Sequence, residues 1–415
     1  MDLCWLAIRI SQVRASRAML LAALAAAGLL AVSASAGGGT SGACAGRLAG
    51  QARRLPAPIT IAAGHIRGSV SYRIGCHGRV HRMPKTQTPF TVPRDEAFEG
   101  NGIWFAVRHD HLVIGRGRKP LWRSHARFPS PAHRPIEIGG LTVGRDTLAF
   151  AYHNTLYLAP LTGAERPVAH GEFPLGFTTG GVYTYRWNRA LLLRSFTGAV
   201  VKTIARWPFD TNFQAAGGNV YFIAHDALIR AQGTRIQRLA SLTRLGLSAG
   251  PWLQSLGPLV ELQDNRRLVV VRPDGSVFAS TRLPRSRGHN DTISSSVAIA
   301  PHATAVAFTA ASGLSDDSNT TGPTPGSETI YLLRPGARTA TLVHRERVEF
   351  EPCIGEGATL QWRGRWLLYN GANSHAAAID TASPHRTIEL RKLLRGLTGT
   401  RDGFTAYWSD QPPPL

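Results

Sequence analysis

The sequence predicts an all-β fold, a β-propeller of about seven blades behind an N-terminal signal peptide. Three observations predict it: a strand pattern punctuated by glycine that recurs along the chain, the near absence of helical periodicity, and an N-terminus with the three parts of an export signal. If the two chain ends form a blade of their own, the count becomes eight.

Near the N-terminus Arg9, Arg14 and Arg17 precede an apolar run from Ala18 to Val32, and Ala34-Ser35-Ala36 follows it. A charged start, an apolar middle and a small-residue exit are the parts of a secretory signal, with cleavage expected after Ala36. The run is shorter than the roughly 20 residues that span a bilayer comfortably; an uncleaved signal anchor is the competing reading. The expected division is residues 1–36 as signal, 37–55 as a disordered small-residue tail and 56–415 as the propeller. The expected location is outside the cytoplasm: periplasmic, extracellular or attached to the cell surface.

In the repeat, a β-type strand leads through a short polar turn to a second strand. That strand ends in a glycine-containing hairpin, and a third, more polar strand follows. The clearest copies start at Leu148, Val182 and Val220, and two more start at Leu259 and Val306. Their hairpin glycines are Gly163, Gly198, Gly233, Gly275 and Gly336, at spacings of 35, 35, 42 and 61 residues, the last widened by a polar insertion from Gly313 to Ser327. Looser copies start at Ile103 and Arg365. Runs such as Leu191-Leu192-Leu193 and Leu268-Val269-Val270-Val271 are apolar at every position, as strands buried on both faces are. Arg235-Ile236-Gln237-Arg238-Leu239 alternates, as a half-exposed strand does. Glycine supplies the positive φ that tight hairpins need. Such a unit cannot bury both faces alone, but stacked neighbours can. Stacked sandwiches are the alternative architecture. The pair of strands from Ser69 and the segment from Phe404 to Trp408 are expected to meet and join the chain ends.

The segment from Ile299 to Arg345 resembles the TolB-type repeat of bacterial envelope propellers, which are WD-repeat-like in pattern. Pro301, Ala307, Phe308, Ile330, Tyr331 and Gly336 carry the resemblance, with His302 where that family has aspartate. Leu148-Ala149-Phe150 and Leu156-Tyr157-Leu158 echo it. The resemblance implies a fold and an envelope setting, not an activity.

The formal charge is +21, from 47 basic residues of which four are lysines, against 26 acidic ones. An exported protein this basic is expected to adhere to anionic material. Nucleic acid is disfavoured, because the cations are spread along the chain with no basic run interleaved with aromatics. Cleavage leaves Cys44, Cys76 and Cys353, and Cys76 with Cys353 is the expected disulfide, since a propeller brings its chain ends together. The insertion at Ser315-Asp316-Asp317-Ser318-Asn319 is the expected interaction loop, with Asp316, Asp317 and Asn319 as candidate contacts. It lacks the spacing of a calcium loop.

Other motifs read as structure. Gly246-Leu247-Ser248-Ala249-Gly250 spells the nucleophile elbow of hydrolases, but Pro251 follows at once and no helix is signalled. His109-Asp110-His111 and His289-Asn290-Asp291 read as exposed turns rather than metal ligands. Ser195 to Gly198 with Trp207 reads as a hairpin with a core tryptophan, not a quinone site. No catalytic residue, metal or cofactor is expected. The function expected is a non-catalytic binding or scaffolding module of the cell envelope, a monomer that takes a protein or an anionic surface polymer. The alternative is an exported propeller hydrolase or lyase with its site at the mouth of the central channel.

Overall fold

A computed structural model describes residues 55–63, 70–77, 79–83, 97–99, 103–116, 119–128, 138–206, 213–248, 250–264, 266–283, 296–312, 324–350, 358–371, 375–384, 386–397, 404–409 and 411. These form eight four-stranded antiparallel sheets. Seven are made in chain order, over residues 97–123, 138–170, 172–206, 213–241, 252–282, 297–350 and 359–389, and are called blades 2 to 8 here. Blade 1 combines three N-terminal strands with the C-terminal one: Ile59–Ala63 pairs with Val70–Ile74 on one side and Phe404–Trp408 on the other, Ile59 opposite Trp408. The fold is a β-propeller with eight blades. The chain divides into two compact units, one of Val92–Phe278 and one of Ala279–Leu415 with the N-terminal strands.

The three strands legible in each repeat are the second, third and fourth of a blade. Strand alternation explains their apolar runs, because successive side chains point to opposite faces. On the second strand of blade 5, Asn219–Ala224, Val220 and Phe222 pack with Tyr183, Leu191 and Leu193 of blade 4. The intervening Tyr221 and Ile223 pack with Leu253, Val260, Leu262 and Val269 of blade 6. A strand with a neighbour on each face needs an apolar residue at every position. Each such Leu or Val contributes about 1.5–3 kcal/mol when fully buried. The other unit repeats the arrangement: on Trp366–Asn370, Leu367 and Tyr369 face blade 7, whereas Trp366 and Leu368 face Ile59, Ile61 and Trp408 of blade 1.

Neighbouring blades are also laced by a recurring hydrogen bond, from the outer part of one blade to the hairpin between the third and fourth strands of the next. Trp122 Nε1 donates to Gly163 O at 2.9 Å, Arg166 to Phe196 O, Lys202 Nζ to Thr234 O at 2.7 Å and Arg230 to Pro273 O at 2.8 Å. In the second unit the Ser280 N–H donates to Ala337 O at 3.0 Å. The acceptors lie at or beside the glycines that mark the repeat.

Candidate anionic-partner interface

The fourth strand is the outer edge of the sheet in blades 3 to 5 and is largely exposed there. In blades 3, 4 and 5 these strands are Arg166–His170, Val200–Arg206 and Arg235–Ser241, and none contains an acidic residue. Arg166, Arg206, Arg235 and Arg238 are exposed along them. Their pairing with the third strand carries a register shift in all three blades, which bends an edge and blunts it against pairing with another sheet. The contacts Arg166–Phe196 and Lys202–Thr234 place these edges side by side.

Two acids of this region, Glu165 and Glu172, turn inward, whereas Asp146 and Asp226 stay exposed. Glu165 accepts from the backbone N–H groups of His125 and Ala126. Glu172 is wholly buried on the first strand of blade 4. Burial alone would raise its carboxyl, but Arg194 at 2.7 Å, Arg186 at 2.6 Å and the Thr184 hydroxyl outweigh that and hold it below the usual range. The Asp226 carboxylate, at the opposite end of blade 5 from its Gly233 hairpin, accepts from Thr243 at 2.7 Å and Ser241 at 3.2 Å. The exposed edge therefore keeps a cationic surplus. Large apolar side chains share it: Phe196 is 43% exposed, Val200 and Val201 each 50%, Ile236 41% and Val277, opening the next fourth strand, 44%.

A second polar assembly joins blades 7 and 8. Glu346 accepts from His344 Nε2 at 3.2 Å and His375 Nδ1 at 3.1 Å, and Arg391 Nη1 meets His375 Nε2 at 3.2 Å. The two imidazoles, His344 first, bring the Glu346 carboxyl down to about 2. Beside it Tyr369 donates to Glu328, and burial, then that carboxylate, pushes the phenol up. The arginine donor fixes His375 as the Nδ1–H tautomer with both ring nitrogens engaged. The signal for this group lay in Thr341–Phe350, where His344 and Glu346 stand two apart and so share a strand face.

Several residues singled out by sequence fall elsewhere. Asp316, Asp317 and Asn319 lie outside the described residues, as do Cys353, Trp207 and the 289–291 turn. Cys76 is disulfide-bonded, and its partner also lies outside them. Ser248 donates through its N–H and its hydroxyl to Asp264, at 2.8 and 3.0 Å, on a loop after the short helix Leu242–Leu245. The recess there is lined by Gly246, Leu247, Ser248, Asp264 and Arg266, with no histidine. His109 and Asp110 both have positive φ at a hairpin tip, as have His153-Asn154 and His225-Asp226. Histidine and Asx residues tolerate that region better than most. His111 turns back to Ser124 O at 2.9 Å. Among the described residues no group of three or more His, Cys, Asp and Glu side chains could hold a metal ion.

Blades that share apolar faces and lace hairpin to edge define the class of the chain, a β-propeller. No family model matches the sequence, and no curated protein matches it. Among solved structures, AztD from Citrobacter koseri is similar at 12% identity and a TM-score of 0.49, covering 84% of this chain and 97% of that one. Hsv2 from Kluyveromyces lactis is similar at 10% identity and a TM-score of 0.42, covering 68% and 91%. At those values no function passes from either protein to this chain.

Proposed function

We propose that this chain is an exported, non-catalytic propeller of the cell envelope that binds an anionic partner through the fourth strands of blades 3 to 5. The observation that carries this is the absence of acids from three adjoining exposed strands whose arginines face solvent, while the adjoining Glu165 and Glu172 are bound inward. A rigid β scaffold presenting charge on fixed edges concentrates an oppositely charged partner without chemistry. The resemblance to TolB-type repeats and the signal-like N-terminus agree with an envelope location. A disulfide at Cys76 suits an oxidising compartment, and Cys353 is its proposed partner. The alternative, an exported propeller hydrolase or lyase, draws on the convergence at Glu346.

The test is binding of a fluorescent polyphosphate to the processed chain recovered from an envelope fraction, with its N-terminus sequenced. The expected result is an N-terminus at Gly37 and binding that weakens steeply as salt rises, because exposed charges are screened within about 8 Å at physiological ionic strength. Changing Lys202, Arg235 and Arg238 together to Gln should abolish it. Binding indifferent to those changes, or recovery of the chain only from the cytoplasm, would overturn the proposal.

A further inference from the structure

We infer that the anionic partner of these strands is a lipid bilayer surface, an inference that rests on the anionic-partner reading and narrows it. Cations alone satisfy a soluble polyanion, and Phe196, Val200, Val201, Ile236 and Val277 add nothing to its recognition. They nevertheless stand 41–50% exposed on three consecutive blades. Val200 and Val201 are neighbours at the point where the pairing with the third strand shifts register, Val201 being the extra residue of a bulge. Both side chains are half exposed there.

The apolar and cationic groups are interleaved rather than segregated. Val200-Val201-Lys202 reaches through the lysine to Thr234, the residue before Arg235-Ile236. Arg230 reaches Pro273, and the backbone of Leu239 lies against Gly275, two residues before Val277. Phe196 sits at the tip of its hairpin and is held from behind by Arg166. From Arg186 to Val277 the sequence contains five acids, Asp210, Asp226, Glu261, Asp264 and Asp274, the last exposed in the hairpin before Val277, against twelve cations. Apolar side chains seated among cations match the boundary between headgroup and acyl chain: phosphates meet the arginines, and the phenyl ring and valines pass below them. Several exposed apolar side chains on adjoining edges are more than the single exposed residues normal on a surface.

The experiment is co-sedimentation of the processed full chain with vesicles of phosphatidylglycerol and phosphatidylcholine, set against pure phosphatidylcholine, with soluble polyphosphate as a parallel probe. The expected result is partitioning onto the anionic vesicles only. Phe196→Ser combined with Val200→Thr and Val201→Thr, which keep the β-branched shape, should lower vesicle partitioning at least ten-fold and leave polyphosphate binding intact. Each cation lost from Lys202, Arg235 and Arg238 should lower it about five-fold. A second reading uses the unaltered chain: apolar insertion is not screened, so part of the bound protein should survive salt that strips polyphosphate completely. Equal vesicle binding by the apolar variant, or complete release by salt, overturns the lipid assignment while the anionic-partner reading stands. Binding of polyphosphate but not of vesicles by the unaltered chain overturns the lipid assignment alone, and binding of neither overturns both.

Discussion

Glu261 is wholly buried on Leu259–Gln263, the second strand of blade 6, and burial pushes its carboxyl up to about 8. The folded chain therefore holds this proton at pH values where the unfolded chain, with the ordinary value of 4.5, releases it. Between about 4.5 and 8 the folded state binds more protons, so the group's contribution to stability falls as pH rises, by up to about 1.4 kcal/mol per pH unit. Glu346 has the opposite sign: its stabilisation is present above the unfolded value and is lost as pH falls through about 2. Glu261→Gln keeps the shape and removes the titration. The expected outcome is a melting temperature that declines from pH 5 to pH 8 in the native chain and stays level in the variant. A slope unchanged by the substitution would show that Glu261 does not supply it.

At the scale of the element, the hairpin between third and fourth strands was the most legible feature in the sequence and does the most work in joining blades. Gly275 has φ +90°, and a Cβ there would lie 2.5 Å from the Leu239 carbonyl of the preceding blade. Gly275→Ala combines a disfavoured backbone region with that clash, so a loss of about 1–3 kcal/mol is expected in urea unfolding. Gly336→Ala meets no neighbouring atom and is the control for backbone strain alone. Equal losses at the two sites would mean that the contact between blades contributes nothing. First strands were not legible for the converse reason. Phe213–Ala216 has four residues, and Glu172–Thr178 is broken by Pro174 and Gly176. Neither shows alternation over enough length to stand out from linker. The exposed edge was half legible: the alternation at Arg235–Leu239 predicted a half-exposed strand, but the freedom from acids emerges only when three fourth strands lie together. The Glu346 assembly depends on blade 8 lying against blade 7, which no local pattern encodes.

For the molecule as a whole, the decisive pairing is the least local one. The expectation that the segment from Phe404 would meet the strands from Ser69 was right about the blade but missed the strand between them: Ile59–Ala63 stands between Val70–Ile74 and Phe404–Trp408. Ile-Thr-Ile-Ala-Ala follows a Pro-rich stretch and has no copy of the repeat beside it, so nothing in the sequence flagged it as a strand. Blade 1 thus waits for the last strand of the fold, and contacts of that separation form slowly because chain closure must precede them. Trp408 is fully buried against Ile59 and Ile61, with its ring N–H on Gln361 O at 3.3 Å, while the Asn370 side chain exchanges two hydrogen bonds with the Ala406 backbone. Trp408→Ala should lower stability by about 3–5 kcal/mol in urea unfolding. A chain ending at Gly403 loses the whole strand and leaves Ile59 and Ile61 on an open edge, so it should bind a hydrophobic dye and aggregate instead of melting cooperatively. If that shortened chain unfolded with the midpoint and steepness of the full one, the C-terminal strand would be an ornament, and blades 2 to 8 would hold without it.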